Sequence, residues 1–267
     1  MMEATGLKKL KTVVYGFAKF KDLLYELVSR DIKIRYRRSI LGLLWTLLNP
    51  ILMMTVMTIV FSNIFRSDIK NFPIYFFTGN ILFSFVVEST TNALYSIVGS
   101  GNLIKKVYVP KYLFPMSKVF SSVVNLFFSF IAMMIVMIVT GVKFYVTMFL
   151  APIVLIYVIV FSLGFGMILA TLQVFFRDTA HLYTVVTLAW MYLTPVFYPE
   201  SLLAGRLDFV LSVNPMVHYI RFMRKIVLYN AVPTVSENLT CFLISFVFLI
   251  IGLIVFYRKQ DKFILYI

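Results

Sequence analysis

Three groups of side chains in this 267-residue sequence have types and spacings suited to chemistry. The first is a basic run with one acid, Arg30, Asp31, Lys33, Arg35, Arg37 and Arg38, whose guanidinium groups match phosphate oxygens two at a time. The plainer alternative is that the run pins an adjoining apolar segment to a membrane surface by attraction to anionic lipid. The second is Lys105, Lys106 and Lys111, with Pro110 and Pro115 bounding a short apolar stretch, Val107-Tyr108-Val109, which is poorly suited to stay solvated as a mere connector. Arg177-Asp178 has the same character in another gap between apolar runs. The third is aromatic: Trp190, Tyr192, Phe197 and Tyr198. Sugar rings present apolar C–H faces that pack on such rings, and tyrosine hydroxyls bond sugar hydroxyls; the ordinary alternative is an interfacial aromatic belt. Glu88 stands by itself in a long apolar stretch, where a carboxylate must be paired or face water. It lines a polar path or serves as a hydrogen-bonded structural group.

Other chemistries find no support. One cysteine, Cys241, excludes an intramolecular disulfide, and His181 and His218 lie far apart, so no metal-ligand cluster or nucleophile–histidine arrangement is expected. The eleven glycines are never followed by lysine, which rules out a G-x-x-x-x-G-K-[ST] phosphate cradle in this sequence.

The elements that must position these residues follow from composition. The sequence is 61% hydrophobic and 13% charged, with mean hydropathy +0.93, against about 25% charged in a soluble domain. A chain this apolar must satisfy its backbone internally in lipid, and long uncharged runs select helices over a barrel, whose strands alternate. The formal charge of +14 does not mark a nucleic-acid binder, because the lysines and arginines fall between the apolar runs. No cleaved signal peptide is expected, since some 40 mixed residues precede the first long apolar run.

Uncharged stretches run over 39–65, 119–142, 144–176, 179–199 and 238–257, and a sixth, 74–98, contains only Glu88. Each reaches the roughly 20 residues that a helix needs to cross a bilayer. The expectation is an all-α integral membrane fold with six transmembrane helices in one domain: a basic segment over 1–38, spans within 39–257 and a tail over 258–267. Eighteen of the 25 lysines and arginines fall on the face that carries both termini, so that face is read as cytoplasmic. Phe17, Phe20, Leu24, Leu27 and Val28 recur at helical spacing, predicting an amphipathic interface helix before the first span. Between spans five and six, the apolar run 209–220 is too short to cross and is broken by Asn214-Pro215, predicting a re-entrant or interfacial helical hairpin.

Five motifs in register carry a family resemblance. The run from Leu27 to Trp45 with Asn49-Pro50 resembles the start of the first span in permeases of type-2 ABC exporters of cell-surface polysaccharides. So do Asn102 to Lys111, Phe175-Phe176-Arg177-Asp178, Thr194 to Pro199, and Asn214-Pro215 followed by Arg221 and Arg224. The match covers nearly the whole chain and departs at Val109-Pro110, where many relatives carry an aromatic before the proline. The family includes exporters of O-antigen, capsule, teichoic acid and rhamnose-rich glycans.

The resemblance implies a homodimeric permease of the cytoplasmic membrane that pairs with two separate ATPase subunits and passes a lipid-linked polysaccharide. It implies no cofactor in this chain, ATP and Mg being held by the partner, and no enzymatic activity of its own. On that reading Arg30, Asp31, Arg35, Lys105, Lys106, Lys111, Arg177 and Asp178 couple to the ATPase, while Glu88, Trp190, Tyr192, Phe197 and Tyr198 lie on the substrate path. Rival readings are a type-2 permease for a small amphiphile, such as a drug or lipid, and a membrane channel or scaffold without an ATPase. The topology is checked by single cysteines at Ser67, Ser201 and Lys262, expected to react from outside, outside and inside; reaction of the Lys262 cysteine from outside sealed cells excludes the six-span arrangement.

Overall fold

A computed structural model of the chain describes residues 20–36, 42, 44–64, 69, 71–107, 109–203 and 205–267. Expectations placed on Phe17, Arg37, Arg38, residues 39–41 and 43, Ser67 and Tyr108 lie outside these residues. Every regular element among them is helical. In chain order they are α1 (Lys21–Tyr36), α2 (Leu44–Thr58), α3 (Phe72–Gly99), α4 (Gly101–Lys106), α5 (Leu113–Thr140), α6 (Ala151–Phe175), α7 (Thr179–Tyr192), α8 (Asp208–Val213), α9 (Pro215–Leu228) and α10 (Val235–Lys259). A π-helical turn extends α2 over Ile59–Ile64, and 3-10 turns precede α6 at Val146–Leu150 and follow α10 at Gln260–Leu265.

Among the described residues five segments are long and apolar enough to cross a bilayer: Leu44–Phe61, Phe72–Gly99, Leu113–Thr140, Val146–Phe175 and Val235–Leu265. Large apolar side chains point outward along them, Phe149, Phe127 and Val247 among others, as lipid contact requires and water would not tolerate. The uncharged stretch 179–199 behaves differently from expectation. Its helix, α7, ends after 14 residues, about 21 Å at the usual rise and short of the ~30 Å hydrocarbon thickness. Pro195 is the cause: it disfavours helical geometry at Thr194 and lacks an N–H, and Pro199 repeats the effect. The residues beyond the helix turn inward, with Thr194, Pro195, Val196 and Phe197 all buried.

Local chemistry explains the other boundaries. Asn71 takes a left-handed conformation, φ +56°, and accepts the first N–H groups of α3, where Pro73 fits the first turn. Gly141, φ +68°, closes α5 by donating to carbonyls of its last turn. A reciprocal capping box between Thr234 and Glu237 starts α10. α5 begins at Leu113, ahead of the expected Val119, and carries Lys118 within the helix because Lys118 Nζ pairs with Asp31 of α1 at 2.8 Å. Uncharged length alone places that boundary too late, since a paired cation does not end a helix.

α3, α5, α6 and α10 form the body, with α6 packed most extensively on α10 and α3 on both α5 and α6. α1 lies against α5 through Leu27, which is buried. α7 is tied to α3 by Thr90 Oγ1 and Tyr183 Oη, 2.5 Å apart. α8 and α9 meet at Asn214, and α9 docks on α3, α6 and α10 with Met216, Val217, Tyr219, Ile220, Met223 and Val227 fully buried. The closest approach joins α6 to α10: a Cβ on Gly164 would collide with the backbone of Phe248 and Leu249, and one on Gly252 with the backbone of Gly164. Gly166 faces Ala93 of α3 in the same way, so Gly164, Gly166 and Gly252 all let helices approach closely.

Gly164→Leu or Gly252→Leu must therefore push two backbones apart, an overpacking cost of at least about 1–3 kcal/mol. Thermal unfolding in detergent should show a marked drop for either variant and little change for Gly99→Ala, whose added methyl meets nothing within 4 Å.

Candidate functional site

Four constellations gather the candidate residues. At the end of the body where α3, α6 and α10 finish, the C-terminal turn folds back over the short loops. Lys105 Nζ donates to the carbonyl of Ile267 at 2.6 Å, Lys111 Nζ to that of Gln260 at 2.6 Å and Arg177 Nη2 to that of Tyr266 at 2.8 Å. The last carbonyls of a helix have no partner within it and carry its negative pole, so cations satisfy them twice over. Lys111 also lies 6.0 Å from the centroid of Phe263, whose ring is buried against Phe175 and Phe256. Three of the residues expected to couple to an ATPase thus share one feature, a clasp on the tail. Lys106 is exposed beside them, and Asp178 is exposed at the start of α7 without capping it through its side chain.

The second constellation joins residues expected to act separately. Arg35 Nη1 donates to Glu88 Oε1 at 2.5 Å, and Asn125 Nδ2 donates to the same oxygen at 2.6 Å. α1, α3 and α5 each supply one group. This supplies the partner that an acid in an apolar stretch demands, and it anchors the end of α1. Nearby, Arg30 Nη2 bonds Asp31 at 3.2 Å and Asp31 holds Lys118, so Asp31 is the ionic link between α1 and α5.

Aromatic residues surround the third. Trp190 is turned into the helix body, packed edge-on against Phe83, Phe161 and Phe165 with centroids 5.7, 6.4 and 6.1 Å away. Its Nε1 donates to Asn214 Oδ1 at 2.8 Å. The same Oδ1 caps α9 by accepting from the Met216 N–H at 3.0 Å, while Nδ2 donates to Thr194 Oγ1 at 2.9 Å and to the Leu193 carbonyl at 3.3 Å. Phe197 is buried against Phe61, Tyr192 and Tyr198. Tyr198 donates to the Tyr192 carbonyl at 2.5 Å. Of the four aromatics expected on a path, only Tyr192 is largely exposed, at 58%.

Sequence reasoning gave no role to the fourth. Arg224 is 6% exposed, donates from Nη2 to the Val196 carbonyl at 2.9 Å and stacks over the ring of Tyr75 at 3.5 Å. Tyr75 Oη in turn donates to the Tyr198 carbonyl at 2.9 Å. Gly79 makes room: a Cβ there would press on Arg224 and Val196 at 3.3 Å. The available signal was an arginine on the apolar stripe Val217, Ile220, Arg224, Val227 of a strongly amphipathic helix. Arg224 opens onto a cavity of about 930 Å³ with Arg221, Lys225, Lys143 and Glu200 on its wall. Arg221 makes a two-pronged bond to Glu200, which raises its pKa above the ordinary guanidinium value, and Lys225 pairs with Glu237 at 2.6 Å.

Apolar helices of spanning length, ion pairs between helices and an irregular segment held inside the body define a polytopic helical membrane protein. A sequence model of the ABC-2 type transporter family matches residues 22–228, and the chain belongs to that family. It is a membrane transport subunit rather than an enzyme. The chain is similar to the "O-antigen export system permease protein RfbA" of Myxococcus xanthus, 30% identical over 252 residues that cover 91% of this chain and 95% of the relative. It is also similar to a protein of that name from Klebsiella pneumoniae, 25% identical over 250 residues covering 93% and 96%.

Asn214→Ala leaves the Trp190 indole, the Met216 N–H and the Leu193 carbonyl unpaired in a buried place, at about 1–3 kcal/mol for each group that water cannot reach. The expected result is a large loss of thermal stability, with Trp190→Phe losing less because it removes one bond and keeps the ring. Equal stability of Asn214→Ala and the parent chain would show that the junction is not held by this residue.

Proposed function

We propose that the chain is the membrane permease of an ATP-driven exporter that passes a lipid-linked polysaccharide out across the cytoplasmic membrane. The observation that carries this reading is similarity over more than nine-tenths of both chains to permeases named for O-antigen export. The rest of the arrangement fits it. The end carrying α4 and the C-terminal turn faces the cytoplasm, since the excess of lysine and arginine lies there. α7 and the buried segment after it together complete a sixth crossing, with non-helical backbone at that depth acceptable because protein surrounds it. α8 and α9 then form a re-entrant hairpin on the outer side, and both termini lie inside.

A partner ATPase supplies ATP and Mg, and two copies of this chain with two ATPases complete the exporter. Lys106, Asp178 and Arg30 are exposed toward that partner, while Lys105, Lys111 and Arg177 shape the docking surface by holding the tail against it. Along the polymer's route Tyr192 offers an open ring and hydroxyl. Trp190, Phe197 and Tyr198 brace it from behind, and the Glu88 pair sets the floor between α1 and α3.

The test is surface polysaccharide per permease molecule in cells whose own copy is deleted and replaced. Deletion should abolish surface glycan. Lys106→Glu should reduce it and weaken co-purification of the ATPase, and Tyr192→Ala should reduce export at normal protein level. Trp190→Ala should instead lower the amount of protein. Undiminished surface glycan after deletion would remove the polysaccharide reading and leave a small amphiphile as the cargo.

A further inference from the structure

The cavity beside Arg224 has a construction that the assignments above do not use. Its wall comes from the ends of α3 and α5, the loop leading to α6, and α9. Among the described residues four cationic side chains line it, Lys143, Arg221, Arg224 and Lys225, against one carboxylate, Glu200. Two of the four are neutralised, Arg221 by Glu200 and Lys225 by Glu237. The other two have no acid within ion-pair distance among the described residues. Lys143 is exposed at the rim, on the turn set by the left-handed Gly141.

Arg224 is the stronger sign. Its guanidinium is more than nine-tenths buried, no carboxylate among the described residues lies within ion-pair reach, and its Nε has no hydrogen-bond partner. A buried cation whose contacts among the described residues are a carbonyl and a ring face is costly unless an anion completes its shell. Arginine is the residue whose fork matches a phosphate. Tyr145 and Tyr229 stand on the same wall with hydroxyls to offer, and about 930 Å³ is within the range of pockets that enclose a whole polar group.

We infer that this cleft is a phosphate-binding site that holds the phosphate or diphosphate of a lipid, with Arg224 and Lys143 as its direct contacts and Arg221 and Lys225 fixed beside them by their own acids. The orientation proposed above places the cleft at the outer leaflet, at the depth where lipid phosphates lie. There it would meet either a resident phospholipid headgroup or the diphosphate of a carrier lipid as it leaves. The chemistry recognised is the same for both.

The experiment uses the full chain in phosphatidylcholine nanodiscs, titrated with inorganic pyrophosphate and with a short-chain polyprenyl diphosphate. Saturable binding of both is expected. Lys143→Gln, which removes no hydrogen bond or ion pair among the described residues, should weaken it about tenfold, the equivalent of about 1.4 kcal/mol. Arg224→Lys should weaken it further, whereas Arg206→Gln, a charge outside the cleft, should leave it unchanged. Displacement of the diphosphate by added phosphatidylglycerol would identify the headgroup as occupant, and its persistence would identify the carrier. Absence of saturable binding, or equal losses in Lys143→Gln and Arg206→Gln, would overturn the site. Binding is read on isolated protein, so its failure is separate from failure of the export reading, and cysteine labelling tests the orientation independently.

Discussion

Where the chain leaves helical geometry at Leu193, its backbone groups lose their intrahelical partners, and lipid offers none. The way those groups are satisfied organises one end of the molecule. Asn214 takes the Leu193 carbonyl and the Thr194 hydroxyl, Arg224 takes the Val196 carbonyl, and Tyr75 takes that of Tyr198. These three side chains come from α3, α9 and the junction before α9, so one irregular segment fixes where α9 sits. Gly79 and the stacking of Arg224 on Tyr75 follow from the same requirement, because the guanidinium must come within bonding distance of a backbone that a side chain would hold off.

The opposite end is built on the same principle, with side-chain donors again serving main-chain carbonyls. There, carbonyls of a C-terminal turn meet lysines and an arginine from segments far away in sequence. Both arrangements spend polar side chains on main-chain groups, which keeps the apolar middle of the body simple. The middle carries only one acid of note, Glu88, and a cation and an amide from neighbouring helices serve it at once.

Much of this was legible beforehand and some was not, for physical reasons. Spans appear as long uncharged runs because lipid selects composition directly, which is why 74–98, 144–176 and 238–257 read correctly in outline. The expected start at Val119 was late because Lys118 is neutralised by Asp31, eighty-odd residues earlier in the chain, and pairing at that separation leaves no local trace. The stretch 179–199 looked like a full span because its length is right; Pro195 and Pro199 were visible, but whether the broken backbone would find partners depended on Asn214 and Arg224. The pairing of Gly164 with Gly252 becomes apparent only once the two helices cross. Arg35 and Glu88 were singled out for different tasks, and their union was beyond any reading of spacing.

The glycine notch between α6 and α10 has a mechanical meaning. With backbone seated on backbone, sliding α10 along α6 would drive side chains into the notch. It is a strut of 25 residues, about 37 Å long at the usual rise. One tip carries the turn that Lys105, Lys111 and Arg177 hold, and the other carries Glu237, which grips Lys225 of α9. The tail clasp and the grip on α9 are thus carried on one continuous helix, a bilayer's thickness apart, with no joint between them.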